Sequence, residues 1–501
     1  MSSKRTLVRG AAILSMDPNI GDFGSGDILI EDETIAAVGR RLDVDPHSVE
    51  IVDATDMIAI PGFVDTHRHI WQTQLRTVAI DWSLCDYVIN MRSVFAAFYT
   101  PEDAFLGNYV GCLEALNSGI TSIIDHCHVV NSPEHADETV RGMVESGIGG
   151  IYCYGLFRNA KHHIGAPIDV GELIGEMFGD VEDWRFDDGK RVRDRYFTDS
   201  SRVRFGIATN EYEFKPYDEV RSELARVRAL EPKRISLHMA MGALCKDARI
   251  VQYFAEDGFL DERCLFVHGG GFTDSELNLL ADNGCSISAT PDTEMQMGMG
   301  HPVALRFDAM GGRASIGIDI VSNIAGDMFS QMRLQLQAHR ARMNARDELD
   351  GRMPGIVPIK TRRALELATI GGAVAAGLES VTGSLTPGKK ADIVLVSGRD
   401  INTAPIIDPV GTVVFYANPS NIDSVWVHGH PVKRGGALVG VDWGAQRKKL
   451  VASSERVMSQ AQRIPLEKIQ NLWTALWHFD GRSAVMPSKA AGSGRLAAPV
   501  N

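Results

Sequence analysis

The chain predicts an α/β fold: a (β/α)8 TIM barrel carrying a small discontinuous β-sandwich domain built from its N- and C-terminal segments. Three observations predict it. Eight short apolar runs recur between residues 57 and 380, each followed by a segment of helical spacing. Strands apolar on both faces belong to parallel sheets covered by helices, and eight of them close a barrel. The flanking pieces, 1–56 and 381–440, are rich in strand patterns, yet neither is large enough to bury a good core alone.

In chain order, the N-terminal piece offers Thr6-Leu7-Val8, Asp27-Ile28-Leu29-Ile30 and Ile35-Ala36-Ala37-Val38, with turn residues between them. The barrel runs are Ile58–Val64, Ile120–Ile124, Gly149–Tyr154, Val203–Ala208, Ile235–His238, Cys264–Val267, Cys285–Ala289 and Ala314–Ile318. Their helices carry readable ends. Thr100-Pro101-Glu102-Asp103 places a capping hydroxyl before a proline at the first helical position, with acids in the first turn. Ser132-Pro133-Glu134 opens another helix and Gly147 closes it, while Thr273-Asp274-Ser275-Glu276 has the form of a capping box. Residues 169–199 form a long charged insertion after the third strand, expected to act as a lid or an interface. The sheet domain resumes with Asp392–Val396, Ser424–Val427 and Pro431–Lys433; residues 441–480 read as a helical extension and 481–501 as a flexible tail.

Composition excludes several roles. The 501 residues are 44% hydrophobic and 23% charged, the balance of an ordinary soluble protein. A net charge of −13 argues against nucleic acid, whose phosphates require a basic surface. The seven cysteines are scattered, with no Cys-x-x-Cys, as expected of reduced thiols in a cytoplasmic protein. No signal peptide and no apolar run of membrane-spanning length is legible.

Side chains just past the C-terminal ends of barrel strands face the active site. That rule selects His67 and His69 after strand one, then Asp125, His126 and His128 after strand two. His238 follows strand five, His268 strand six and Asp319 strand eight. His67 and His69 are alternate residues, so an extended strand end presents both imidazoles to one place. Three histidines and a carboxylate are what a catalytic zinc or ferrous ion needs, with one position left for water.

Taken together, Pro61-Gly62-Phe63-Val64-Asp65-Thr66-His67-Arg68-His69, Ser236-Leu237-His238, Phe266-Val267-His268, Gly317-Ile318-Asp319 and the stretch Gly383–Val394 resemble the amidohydrolase superfamily. The similarity is to the branch holding triazine hydrolases, cytosine and guanine deaminases and S-adenosylhomocysteine deaminase. It implies His67, His69, His238 and Asp319 as metal ligands, His268 orienting water or polarising the substrate, and Asp319 doubling as the base. Members with two metals use a carboxylated lysine after strand four. Here the segment is Ile207-Ala208-Thr209-Asn210, so one divalent ion is expected, zinc ahead of iron. The resemblance also implies a homo-oligomer, dimer or tetramer.

One position departs from the branch. Its ring deaminases place a glutamate three residues after the strand-five histidine to protonate the ring; here that residue is Met241, and a thioether cannot shuttle protons. Glu294, after strand seven, is the substitute acid if one is required. Without ring protonation, the expected reaction is hydrolysis of a non-peptide C–N bond in an amide, carbamate, urea or similar small heterocyclic or aryl compound. Ring deamination of a purine, pyrimidine, pterin or triazine type is the alternative. A non-catalytic scaffold is the second, and the presence of all four ligand residues speaks against it. Trp71, Gln72, His126, His128 and Met241 are candidates to line the substrate pocket, and Met295, Met297 and Met299 to form an adaptable apolar wall. His162 and His163 are expected to face solvent.

Overall fold

The computed structural model describes residues 5–165, 168–242 and 249–465, with Glu467 and Ile469 beyond them. Eight parallel strands lie side by side in chain order: Phe63–Arg68, Ile120–His126, Gly149–Gly155, Val203–Ala208, Ile235–Met239, Cys264–His268, Ser286–Ala289 and Arg313–Ile316. Nearly every residue in them is buried, since the barrel interior covers one face and helices cover the other. Short bonds draw the eighth strand to the first. The Thr66 hydroxyl donates to Ile316 O (3.0 Å), Asp319 N to His67 O (2.8 Å) and His69 N to Asp319 O (2.8 Å). Closure of the barrel therefore places Asp319 between the two histidines of strand one.

The helix ends follow the chemistry legible in the sequence. Thr100 and Asp103 cap Pro101–Asn117 reciprocally, and Thr273 and Glu276 do the same for Asp274–Asp282. Pro133–Ser146 ends at Gly147, which turns left-handed at φ 81°. Ser132 precedes this helix without capping it; its hydroxyl donates to Glu134 instead.

The sheet domain is one mixed, nine-stranded sheet drawn from both ends of the chain. Met57–Pro61 sits at its centre, antiparallel to Ile393–Ser397 and parallel to Arg5–Ile13. This corrects the reading of Ile58–Val64 as a single barrel strand. Gly62 interrupts the run: its N–H leaves for Asp392 O (2.9 Å), and a Cβ there would lie 2.1 Å from the Thr121 hydroxyl. The sheet has its own apolar cluster, including Val8, Ile28, Ile35, Ile393 and Trp426.

Residues 169–199 contain two helices, Val170–Phe178 and Asp183–Tyr196. Arg185 and Arg191 of the second tie it to Val130 O (2.6 Å) and Asp137 (2.8 Å), both in the connection that follows the second barrel strand. Trp443–Ala461 forms the expected C-terminal helix and docks on Pro101–Asn117, where Ser453 donates to Asp103 (2.7 Å) and Arg456 pairs with the same carboxylate. The remainder of the 441–480 extension past residue 469, and the tail 481–501, lie outside the described residues. Among the described residues, no helix is long and apolar enough to cross a membrane.

Candidate metal centre and its pocket

Four side chains from strands one, five and eight converge at the C-terminal end of the barrel. His67 Nε2 and His69 Nε2 each lie 3.3 Å from Asp319 Oδ1, and His238 Nε2 lies 3.3 Å from His67 Nε2. Zinc–ligand bonds of about 2.05 Å arranged tetrahedrally separate neighbouring donors by about 3.3 Å. Bare nitrogens facing one another across that gap gain nothing without a cation between them, so the donor set fits a divalent metal. His268 joins the group from strand six, its donor atom within 4.8 Å of those of His67 and Asp319.

The outward ring atoms are held as well. His69 Nδ1 donates to His126 O (2.7 Å), which leaves Nε2 bare and aimed at Asp319. His238 Nδ1 faces Glu211 Oε1 at 3.2 Å, and His268 Nδ1 faces Thr290 Oγ1 (3.1 Å) and Glu294 Oε1 (3.4 Å). Burial pushes His67 and His238 well below the ordinary imidazole value, the neutral state that metal binding requires. Burial would raise Asp319, but hydrogen bonds with His67 and His69 outweigh it and hold the carboxylate ionised. For His268, burial works downward and is overcome by the bond to Glu294 and the charge of Asp319, so its value rises. His268 (φ 75°) and Asp319 (φ 74°) both adopt left-handed backbone that non-glycine residues rarely take. Such strain persists only where the surroundings enforce it.

Above this floor lies a pocket enclosing about 640 Å³, counting its open mouth. Its walls are Leu84, Tyr87, Val88, Met177, Phe178 and Phe214, with Met241, Met297, Met299 and Ile320. The helix Val170–Phe178 thus contributes to the cover. Polar groups enter at His128, Arg92 and Glu211.

Of the sequence candidates, His128 and Met241 line the pocket; His128 stacks on His69 with ring centroids 4.0 Å apart. Trp71, Gln72 and His126 do not. His69 is followed by a tight helical turn, Ile70–Leu75, which carries Trp71 into the core against Tyr99. Gln72 bonds Tyr87 OH and Ser322 (both 2.7 Å), so it positions a pocket residue without being one. His126 lies behind His238, stacked at 4.1 Å with Nδ1 on Ser236 Oγ (2.8 Å). Glu294 is also displaced from its expected role. It is fully buried behind His268, accepts a bond from Thr290 N (2.8 Å), and is not among the residues that line the pocket. Met295 points outward at 38% exposure, unlike Met297 and Met299. His162 is half-buried on Ser93 O (2.5 Å), while His163 is exposed as expected.

Glu211, Arg92 and Tyr87 went unread in the sequence. Glu211 follows strand four by three residues, so the strand-end rule covers it; a test for lysine at that strand end does not register a carboxylate. Arg92 and Tyr87 belong to the long connection after strand one, where no motif marks them.

A closed α/β barrel with a histidine–carboxylate cluster at its strand ends defines a metal-dependent hydrolase. Residues 58–432 match the model of the amidohydrolase family, and the chain belongs to that family of hydrolases acting on carbon–nitrogen bonds other than peptide bonds. It is 26% identical over 467 residues to a 5'-deoxyadenosine deaminase of Methanosarcina barkeri, covering 92% of this chain and 98% of the other. It is 24% identical over 468 residues to a 5-methylthioadenosine/S-adenosylhomocysteine deaminase of Caldicellulosiruptor saccharolyticus, covering 91% and 99%. Two solved structures share the fold. One is a zinc-bound adenosine deaminase from Xanthomonas campestris (TM-score 0.75, 21% identity, 91% and 98% covered). The other is a mutant atrazine chlorohydrolase of Arthrobacter aurescens with zinc and atraton (TM-score 0.77, 20% identity, 90% and 100% covered).

Proposed function

We propose that this enzyme uses one divalent ion, zinc in preference to iron, to hydrolyse a non-peptide C–N bond, that of an amide, carbamate, urea or similar group with an amine leaving group, in a small heterocyclic or aryl compound. The observation that carries the reading is the convergence of His67, His69, His238 and Asp319 beneath an apolar pocket. One ion is favoured because the second histidine group, His126, His128 and His238, shares His238, whose Nδ1 already faces Glu211. Buried free thiols and exposed apolar side chains at Leu349, Met353 and Ile356 support a cytoplasmic homo-oligomer.

A cation held by these four residues supplies a Lewis acid that makes water a nucleophile at neutral pH. The protein does the rest. Asp319, kept ionised, accepts the proton that water loses as its oxygen bonds the carbon, and returns it to the departing nitrogen as the C–N bond breaks. His268, backed by Glu294, donates a hydrogen bond to the electronegative atom that gains charge at that carbon. The methionine and aromatic walls exclude bulk water and grip the ring.

Ring deamination is the second reading. It is favoured by the deaminase relatives and by Glu211, a carboxyl group in the pocket where Met241 offers none. The test is turnover of paired anilides, aryl ureas and amino-heterocycles by wild type, His67→Ala, His238→Ala and Asp319→Asn, with metal content measured throughout. Wild type should bind about one equivalent of zinc. Each variant should lose at least about 10³-fold in kcat/KM while keeping its far-UV circular dichroism. Amine release from anilides or ureas supports the first reading, ammonia from amino-heterocycles alone the second. Full activity in any variant removes that residue from the centre.

A further inference from the structure

The mechanism leaves one charged group in the pocket without a task. Arg92 is only 5% exposed, yet its guanidinium is poorly matched by the protein around it. Nη1 lies 3.5 Å from both His128 Nε2 and Glu211 Oε1, the limit of a hydrogen bond, and among the described residues Nε has no partner. The Glu211 oxygen it approaches is shared with His238 Nδ1, which is nearer at 3.2 Å. The remaining face of the guanidinium rests on Phe157, its carbon 4.5 Å from the ring centroid. A guanidinium carries five donors in a rigid fork, and burying even one of them without a partner is costly. Such a group is pre-positioned for a planar anion, which it can bind through two parallel bonds.

The arginine is also close to the reaction. Its Nη1 touches His128, and His128 stacks directly on His69. A group bound by Arg92 would therefore lie about one aromatic ring away from the scissile bond.

We propose that Arg92 is the anchor for a carboxylate on the substrate, so that this enzyme acts on compact planar acids in preference to their neutral analogues. The inference rests on the hydrolase reading for the identity of the pocket, but its test is a binding measurement and stands apart from turnover. Benzoate and benzyl alcohol, matched in size, are titrated into the metal-loaded protein by calorimetry, using wild type, Arg92→Gln and Arg92→Lys. Benzoate should bind wild type at least about 10-fold more tightly than benzyl alcohol. Arg92→Gln should weaken benzoate by roughly 10- to 100-fold and leave benzyl alcohol unchanged, with Arg92→Lys between them because it keeps charge but loses the fork. Should Arg92→Gln not fold, the wild-type preference and the loss in Arg92→Lys carry the test. Equal benzoate affinity in wild type and the folded variants would assign the anion to the metal and overturn the proposal, as would no preference for benzoate in wild type. Metal content separates the two readings. A metal-free, inactive protein that still binds benzoate through Arg92 defeats the hydrolase reading alone. A zinc-loaded enzyme turning over neutral compounds, indifferent to Arg92, defeats this one alone.

Discussion

Asp125 is the penultimate residue of the second barrel strand and turns away from the metal centre, onto Asn108 Nδ2 (3.1 Å) and Ile70 N (3.3 Å). Burial pushes its carboxyl up to about 7, against the pull of those two bonds and of Arg68. A folded-state value above the unfolded one means that the native protein holds a proton the unfolded chain has lost. Stability from this group is thus complete below its unfolded value of 3.8 and declines as pH rises through about 7. In Asp125→Asn the amide stays neutral, and Asn108, whose Oδ1 has no partner, can rotate to receive its N–H. Calorimetry of both proteins from pH 5.5 to 8 should show the wild-type melting temperature falling by about 2–4 °C more than that of the variant. Parallel curves would show that Asp125 does not titrate in this window. At this scale the metal candidates were legible because each ends a strand whose direction is fixed by the barrel. Trp71, Gln72 and Glu294 were not: sequence distance from a strand end says nothing of the angle at which the following turn sends a side chain.

Among elements, the decisive contact is between strands one and eight. Gly317 is the residue that permits it, since a Cβ there would meet His67 N at 2.7 Å and His67 O at 2.8 Å. Both are backbone atoms of a fully buried strand, so they cannot yield as a flexible side chain would. Gly317→Ala should cost about 1–3 kcal/mol and, by pushing Asp319 away from His67, lower zinc occupancy. Melting temperature and metal content measured on the same sample check this; an unchanged metal content would show that the strands part without disturbing the centre. The eight strands were readable one by one as apolar runs. The break at Gly62 was not, because Met57–Pro61 and Phe63–Arg68 are equally apolar and only their partners tell them apart.

For the whole molecule, the barrel and the sheet domain share a backbone seam. Met57–Pro61 passes directly from one into the other, Gly62 N bonds Asp392 O, and Lys433 Nζ reaches Asn117 O (2.8 Å). A chain ending at residue 380 would strip Ile393–Ser397 from a strand with five buried residues and leave its edge open. That truncation should be insoluble or aggregate, whereas the full chain should unfold in urea with coincident fluorescence and circular-dichroism transitions. A soluble, monomeric truncation would show the barrel to be independent of the sheet.

The order of strands and helices and the caps at Thr100 and Thr273 are local or periodic properties that the sequence determined alone, and the strand-end rule named the candidates for the metal centre. The tertiary structure decided which strand-end side chains share a cavity: it withdrew Glu294 and His126 behind their histidines and brought in Arg92 and Glu211. Those placements depend on how remote turns pack against one another, and no spacing along the chain encodes an angle between segments joined only by contact in space.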